Sequence, residues 1–289
     1  MFKPLPALTI AALFSFAQTS AVLAVDGSAG HVPDNVIAAQ RAKLAESTAG
    51  AVFGPQSPRD IDAAAGTNPR HFSTAPEYTR MNLCNIHFHE SAEHRGGEFT
   101  RYAGNGDGKG YGTGYLYDGE LSAAERAPLD HPIGTGKHGG LEPGDTIELH
   151  YVHTTAQVEP GPTLGACLSD AVMNPQLRVE AQVFVLVNDE SALDFSHLTA
   201  LGKRSVLHQA LNIPSNTGTP VVYAGSTTGP SYNEAGSPLE VTWSVRPKVA
   251  RVNIHSVGRW LDSNVFEEDH AHGVRNLVLN PALLSEITR

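Results

Sequence analysis

The segment Leu83–Glu90 reads LCNIHFHE, and its alternation admits little besides a β-strand. Successive side chains on a strand point to opposite faces, so Asn85, His87 and His89 share one face while Ile86 and Phe88 take the other. A second segment, GDTIELHYVHT from Gly144, repeats the pattern and puts Glu148, His150 and Val152 on one face. A chain with two such strands must bury one face in a core and give the other a polar purpose.

The remaining sequence is mostly strands separated by loops. LRVEAQVFVLVND from Leu177 is a β-rich, largely buried run, TPVVYAGSTTGP is a strand entering a Gly/Pro turn, and SPLEVTWSVRPKVARVNIHS reads as two strands broken at Pro247. Asp34 is placed to cap a helix through NVIAAQRAKLAES, and SALDFSHLTALGKR reads as a short helix. Residues 96–144 hold 14 of the 28 glycines, which makes this region a long loop with a short strand around GYLYDG. Part of it, NGDGKGYGTGYL from Asn105, has the outline of a calcium loop, but Lys109 and Leu116 stand where ligands belong, so a turn-rich loop is the reading. These elements predict one β-dominated domain over residues 54–289, preceded by a leader and helix over 25–53.

Residues 1–24 read as a signal peptide, with Lys3 as the basic start, an apolar stretch from Ala7 to Phe16 too short to span a bilayer, and cleavage after Ala24. The chain is therefore expected to be periplasmic or secreted, with no membrane span after cleavage. A formal net charge of −10 repels phosphate backbones and disfavours nucleic-acid binding. Cys84 and Cys167 are the only cysteines. An even count in an exported chain favours a disulfide over buried free thiols or thiolate ligands.

Two imidazoles on one strand face can converge on one metal ion, and a catalytic zinc wants three protein ligands with one position left open. His150, in mid-strand, is the best third candidate. Glu148 two residues away can accept the other ring N–H of a ligand histidine, and the Asn85 carbonyl can do the same for His87. His153 falls off the ligand face, and His94 lies past the strand, a supporting or surface residue.

NIHFHESAEH followed by IELHYVH resembles the zinc site of carbonic anhydrases. The α class has a Q-F-H-F-H-W strand, then E-H, then an E-L-H-x-V-H-W strand; the compact form here looks closest to the δ class. GPQSPRDID at Gly54–Asp62, YAGSTTGP at Tyr223–Pro230 and LEVTWSV from Leu239 are similar to further α-class segments, in the same order. The resemblance implies a carbonic-anhydrase-like single domain, mainly β, with a central, largely antiparallel twisted sheet and a few short peripheral helices. It implies reversible hydration of CO2 by a zinc-bound hydroxide, with His87, His89 and His150 as ligands, oriented in part by Asn85 and Glu148. Cobalt or cadmium would suit the same three-histidine set. By the same resemblance Thr228 would accept from the hydroxide and pass its own proton to Glu93, a one-residue gap moving that role to Thr227. Val152 and Trp243 would line the CO2 pocket. The segment in which the α class carries its proton-shuttle histidine is short here, and His71 is the candidate within it.

Two other readings compete. HFHESAE fits the first motif of a cupin-type metal enzyme, with Glu93 as a fourth ligand, but Gly144 lies six residues before His150 and no Asn follows, so the second motif fails. A non-catalytic binding module on an anhydrase scaffold should have lost ligands, and this chain keeps three. The sequence gives no oligomeric state.

Overall fold

The structure is a computed structural model that describes residues 30–227 and 229–288. Helix α1 (Asp34–Thr48) comes first, followed by strand β1 (Asn82–Glu90). Two small hairpins follow, β2 (Arg101–Asn105) with β3 (Thr113–Leu116) and β4 (Ile133–Gly136) with β5 (Gly139–Leu141). Strands β6 (Thr146–Thr154) and β7 (Leu177–Val187) lead to the short helix α2 (Phe195–Leu198) and a third hairpin, β8 (Leu201–Arg204) with β9 (Leu207–Ala210). Strands β10 (Val221–Ser226), β11 (Glu240–Val245) and β12 (Ala250–Asn253) and helix α3 (Ile254–Asp262) complete the elements used below.

The central six-stranded sheet runs β1-β6-β7-β11-β10. Strands β1, β6 and β7 are successively antiparallel, as are β10 and β11. Both β11 and β12 run parallel to β7, β11 along Arg178–Ala181 and β12 along Phe184–Val187. The break expected at Pro247 lets the chain leave the β7 edge after Val245 and rejoin it at Ala250. The sheet is therefore mixed, with its parallel pairs confined to that edge.

One face packs Ile86, Phe88, Leu149, Tyr151 and Phe184 against Phe195, Val257 and Trp260 of the helices. The Phe88 ring meets Phe195 edge-on at 5.5 Å. Each such wholly buried aromatic contributes roughly 2–3 kcal/mol of apolar burial. The opposite face carries a second apolar layer of Val152, Val179, Ala181, Val183, Tyr223 and Trp243, and the histidines rise from this side. The disulfide Cys84–Cys167 joins β1 to the turn at Leu164–Cys167, 83 residues on.

Three local expectations are corrected. Asp34 is the first helical residue, preceded by Pro33, and caps nothing; its carboxylate instead accepts from Asn105 Nδ2 at 2.7 Å. The helix expected through SALDFSHLTALGKR stops at Leu198, because Leu201–Arg204 pairs with Leu207–Ala210 as a hairpin. The strand expected around GYLYDG is Thr113–Leu116 and ends before Tyr117, whose N–H donates to the Thr146 hydroxyl. Among the described residues no helix is long and apolar enough to cross a membrane; the segment read as a signal peptide lies outside them.

Candidate metal centre

Antiparallel register carries the β1 pattern onto β6. Asn85 faces Val152, His87 faces His150 and His89 faces Glu148. Ligand atoms of His87, His89 and His150 all lie within 4.8 Å of one another, and the three rings bound a cavity of ≈ 360 Å³.

The second nitrogen of each ring fixes what the first can do. His89 Nδ1 donates to the Gly273 carbonyl at 2.9 Å. His87 Nδ1 donates to Asn85 Oδ1 at 2.6 Å, and Asn85 is held in that orientation by its Nδ2 donating to Gly161 O. His150 Nε2 donates to Glu148 Oε1 at 2.9 Å. With those protons placed, neutral rings present bare lone pairs inward, and His87 Nε2 and His150 Nδ1 face each other at 3.3 Å. A hydrogen bond between them would need an extra proton. Burial resists it, and with the charges of the neighbouring histidines it pushes the His87 and His89 imidazoles well below their ordinary range. Converging lone pairs are relieved by a cation. The edge of a tetrahedron with about 2.0–2.1 Å metal–nitrogen bonds is about 3.3 Å. The donor set therefore fits a zinc-type ion, with three imidazoles and one open position toward the cavity.

Glu148 is the hub behind the three histidines. It accepts from His150, from His94 Nδ1 at 2.6 Å, and from the backbone N–H groups of Glu93 and His94 at 2.7 and 3.1 Å. Burial pushes its carboxyl up, but the His94 charge and the bonds from His150 and His94 outweigh burial and hold it well below the usual carboxylate range. The same pairing raises His94 against the opposing effect of its burial. His94 is wholly buried and joins Glu148 to the Tyr223 hydroxyl, 2.5 Å from Nε2, which excludes the surface reading.

Glu93 lines the cavity, and its carboxyl is raised above the ordinary range, chiefly by burial. Its Oε1 accepts from the Arg275 backbone N–H at 3.4 Å. Thr228 lies outside the described residues. Its neighbour Thr227 is buried at the cavity wall, its N–H donating to Leu239 O. Val152 and Trp243 are buried behind the ligands rather than in the cavity wall, and the Trp243 ring meets His150 edge-on at 5.0 Å. His71 is exposed and lines a different cleft, one that Tyr223 also borders, and is not among the residues lining the cavity. His153 is buried against Tyr78, away from the ligands.

Sequence reasoning missed the segment that closes the site. His272 N–H donates to Phe88 O, and Glu90 N–H donates to His272 O, which docks residues 272–273 beside β1 and delivers the Gly273 carbonyl to His89. The His272 ring stands 5.4 Å from that of His87 and pairs with Glu268 at 2.5 Å. A backbone carbonyl leaves no mark in sequence, but HAHG at His270–Gly273 was a legible histidine pair.

A family model described as "Delta carbonic anhydrase" matches residues 78–256. No curated protein matches the chain. Among solved structures, a hyperthermostable carbonic anhydrase from a hydrothermal vent chimney is similar at 13% identity and TM-score 0.29, covering 78% of this chain and 85% of that one. An α-carbonic anhydrase from Thermovibrio ammonificans in complex with sulfanilamide gives 18% identity and TM-score 0.27, over 77% and 84% of the two chains. The Photobacterium profundum α-carbonic anhydrase gives 16% and 0.28, over 82% and 93%.

Proposed function

The chain belongs to the delta carbonic anhydrase family, and from that premise we propose that it interconverts CO2 and bicarbonate at a zinc ion held by His87, His89 and His150, outside the cytoplasm. The observation that carries the reading is the tautomer pattern, in which each of the three rings donates outward and offers a lone pair inward. A zinc bound there would lower the pKa of a coordinated water to about 7 and so supply a nucleophile at neutral pH.

The chain's own residues do the rest. Asn85, Gly273 and Glu148 hold the rings in register, which keeps the lone pairs aimed at one point without reorganisation. Three neutral imidazoles leave the ion's double charge undiminished. Glu93 and Thr227 both line the cavity; in the relay that the resemblance implies, Thr228 would pass its hydroxyl proton to Glu93 and so would only accept from the attacking oxygen. Asn85, His87 and His89 line one side of the cavity, and Leu164, Thr227 and Pro230 are among the residues lining the rest.

His150→Ala should abolish metal retention and CO2 hydration together, read by metal analysis and stopped-flow hydration on the purified protein. Stoichiometric zinc in that variant would refute the ligand set. Glu93→Gln should keep the metal and lose most of the activity; loss of the metal would instead make Glu93 a ligand.

A further inference from the structure

Arg59 is 1% exposed, yet two of its three nitrogens have no hydrogen-bond partner among the described residues. Nη1 donates to Ser285 Oγ at 2.5 Å, and that hydroxyl passes its own proton to Ala224 O at 2.9 Å. The guanidinium lies over the Tyr223 ring at 5.2 Å from its centroid. Nε and Nη2 are buried and have no hydrogen-bond partner among the described residues. These two nitrogens form the side edge of the guanidinium, whose parallel N–H groups match the two oxygens of a carboxylate. A buried cation with an idle fork is the costly arrangement that native interiors avoid. Burial accordingly pulls the Arg59 guanidinium below its ordinary pKa.

Among the described residues, neither Asp60 nor Glu286 fills the fork. Asp60 pairs with Arg95. Glu286 lies close enough for its charge to be felt, but it accepts no hydrogen bond from Arg59. A cleft of ≈ 470 Å³ reaches both groups that touch the guanidinium, Tyr223 and Ser285, and Arg70 and Asn68 stand in its wall. We propose that the Nε–Nη2 edge of Arg59 binds a small planar oxyanion of the carboxylate and bicarbonate class, admitted from this cleft. Two parallel donors call for two acceptor oxygens in one plane, which a single water does not offer. Admission requires the cleft wall at Ser285 and Glu286 to part, since the edge is closed to solvent in this conformation. None of the three histidines of the metal centre lines this cleft.

The test is a titration of uniformly 15N-labelled protein with sodium formate and, separately, sodium bicarbonate. Sodium chloride at equal ionic strength is the control. The arginine Nε–H signals are followed on the protein as isolated and again after chelation. One slowly exchanging Nε–H, absent in Arg59→Lys, should shift saturably with formate or bicarbonate and not with chloride; the tighter of the two names the source. Arg59→Lys keeps the charge but loses the fork, and should weaken binding about tenfold. Glu286→Gln, at an exposed position that folding tolerates, removes a like charge and should tighten binding about threefold. An unmoved Arg59 signal, or a formate affinity indifferent to Glu286→Gln, would overturn the proposal.

Discussion

At the scale of single residues, Glu148 decides more than any of the three clustered histidines does. Both of its oxygens accept two hydrogen bonds, and all four donors are fixed N–H groups. An amide in its place must turn a donor toward donors whichever way it lies. Glu148→Gln should therefore lower metal affinity about 10–100-fold through the freed His150 ring. It should also destabilise the fold by roughly 3 kcal/mol through a broken buried network. Competition with a chromophoric chelator reads the first and urea unfolding the second; unchanged affinity would show that Glu148 does not hold the tautomer. The alternation of LCNIHFHE and IELHYVH made the three histidines, Asn85 and Glu148 legible, because strand parity alone sorts them onto one face. It could not reveal Glu148 as a hub, because His94 and Glu93 reach it through the turn after β1.

At the scale of elements, β1 is held from three directions. It pairs with β6 along one edge, docks residues 272–273 beside Phe88–Glu90, and is tied to the Leu164–Cys167 turn by the disulfide. That turn begins at Thr163, and Thr163 and Leu164 line the metal cavity. Closing an 83-residue separation removes about 4.5 kcal/mol of unfolded-chain entropy in the loop model. The double variant Cys84→Ser/Cys167→Ser should lose about 3–4 kcal/mol in chemical denaturation while keeping its metal stoichiometry, since no ligand hangs from the turn. The strands of the central sheet were legible because buried β-branched runs and Pro/Gly breaks announce them, whereas the hairpins at Arg101–Leu116 and Ile133–Leu141 fell in a stretch read as a long loop. The end of α2 was not, because LGKR becomes a strand only when LHQA lies beside it. The closing segment at 272–273 acts through backbone atoms, which leave no pattern to read.

At the scale of the whole molecule, two buried groups on opposite sides of neutrality shape stability against pH. Glu240, where β11 begins, has both oxygens buried without a hydrogen bond among the described residues, and burial pushes its carboxyl up to about 8 from 4.5. The folded protein then holds a proton that the unfolded chain releases, so this contribution is whole below pH 4.5 and is lost as pH rises through 8. His153 donates Nδ1 to Tyr151 O, leaves Nε2 unpaired, and is pushed down by burial, with Arg178 adding, to about 3 from 6.5. Here the unfolded chain takes the proton first, so stability falls as pH drops from 6.5 toward 3. Between pH 4.5 and 6.5 the two slopes oppose each other and cancel, leaving a plateau with a flank on either side. Each flank is removable by itself. Glu240→Gln should match the parent below pH 4.5 and gain on it steadily up to pH 8. His153→Phe keeps the Glu240 slope and loses its own, so it should gain on the parent as pH falls below 6.5, by on the order of 3 kcal/mol at pH 4. Thermal unfolding of the three proteins from pH 3.5 to 9 measures both differences. A Glu240→Gln profile parallel to the parent's above pH 6.5 would mean that Glu240 titrates as an ordinary exposed carboxylate, and the alkaline flank would then belong to another group.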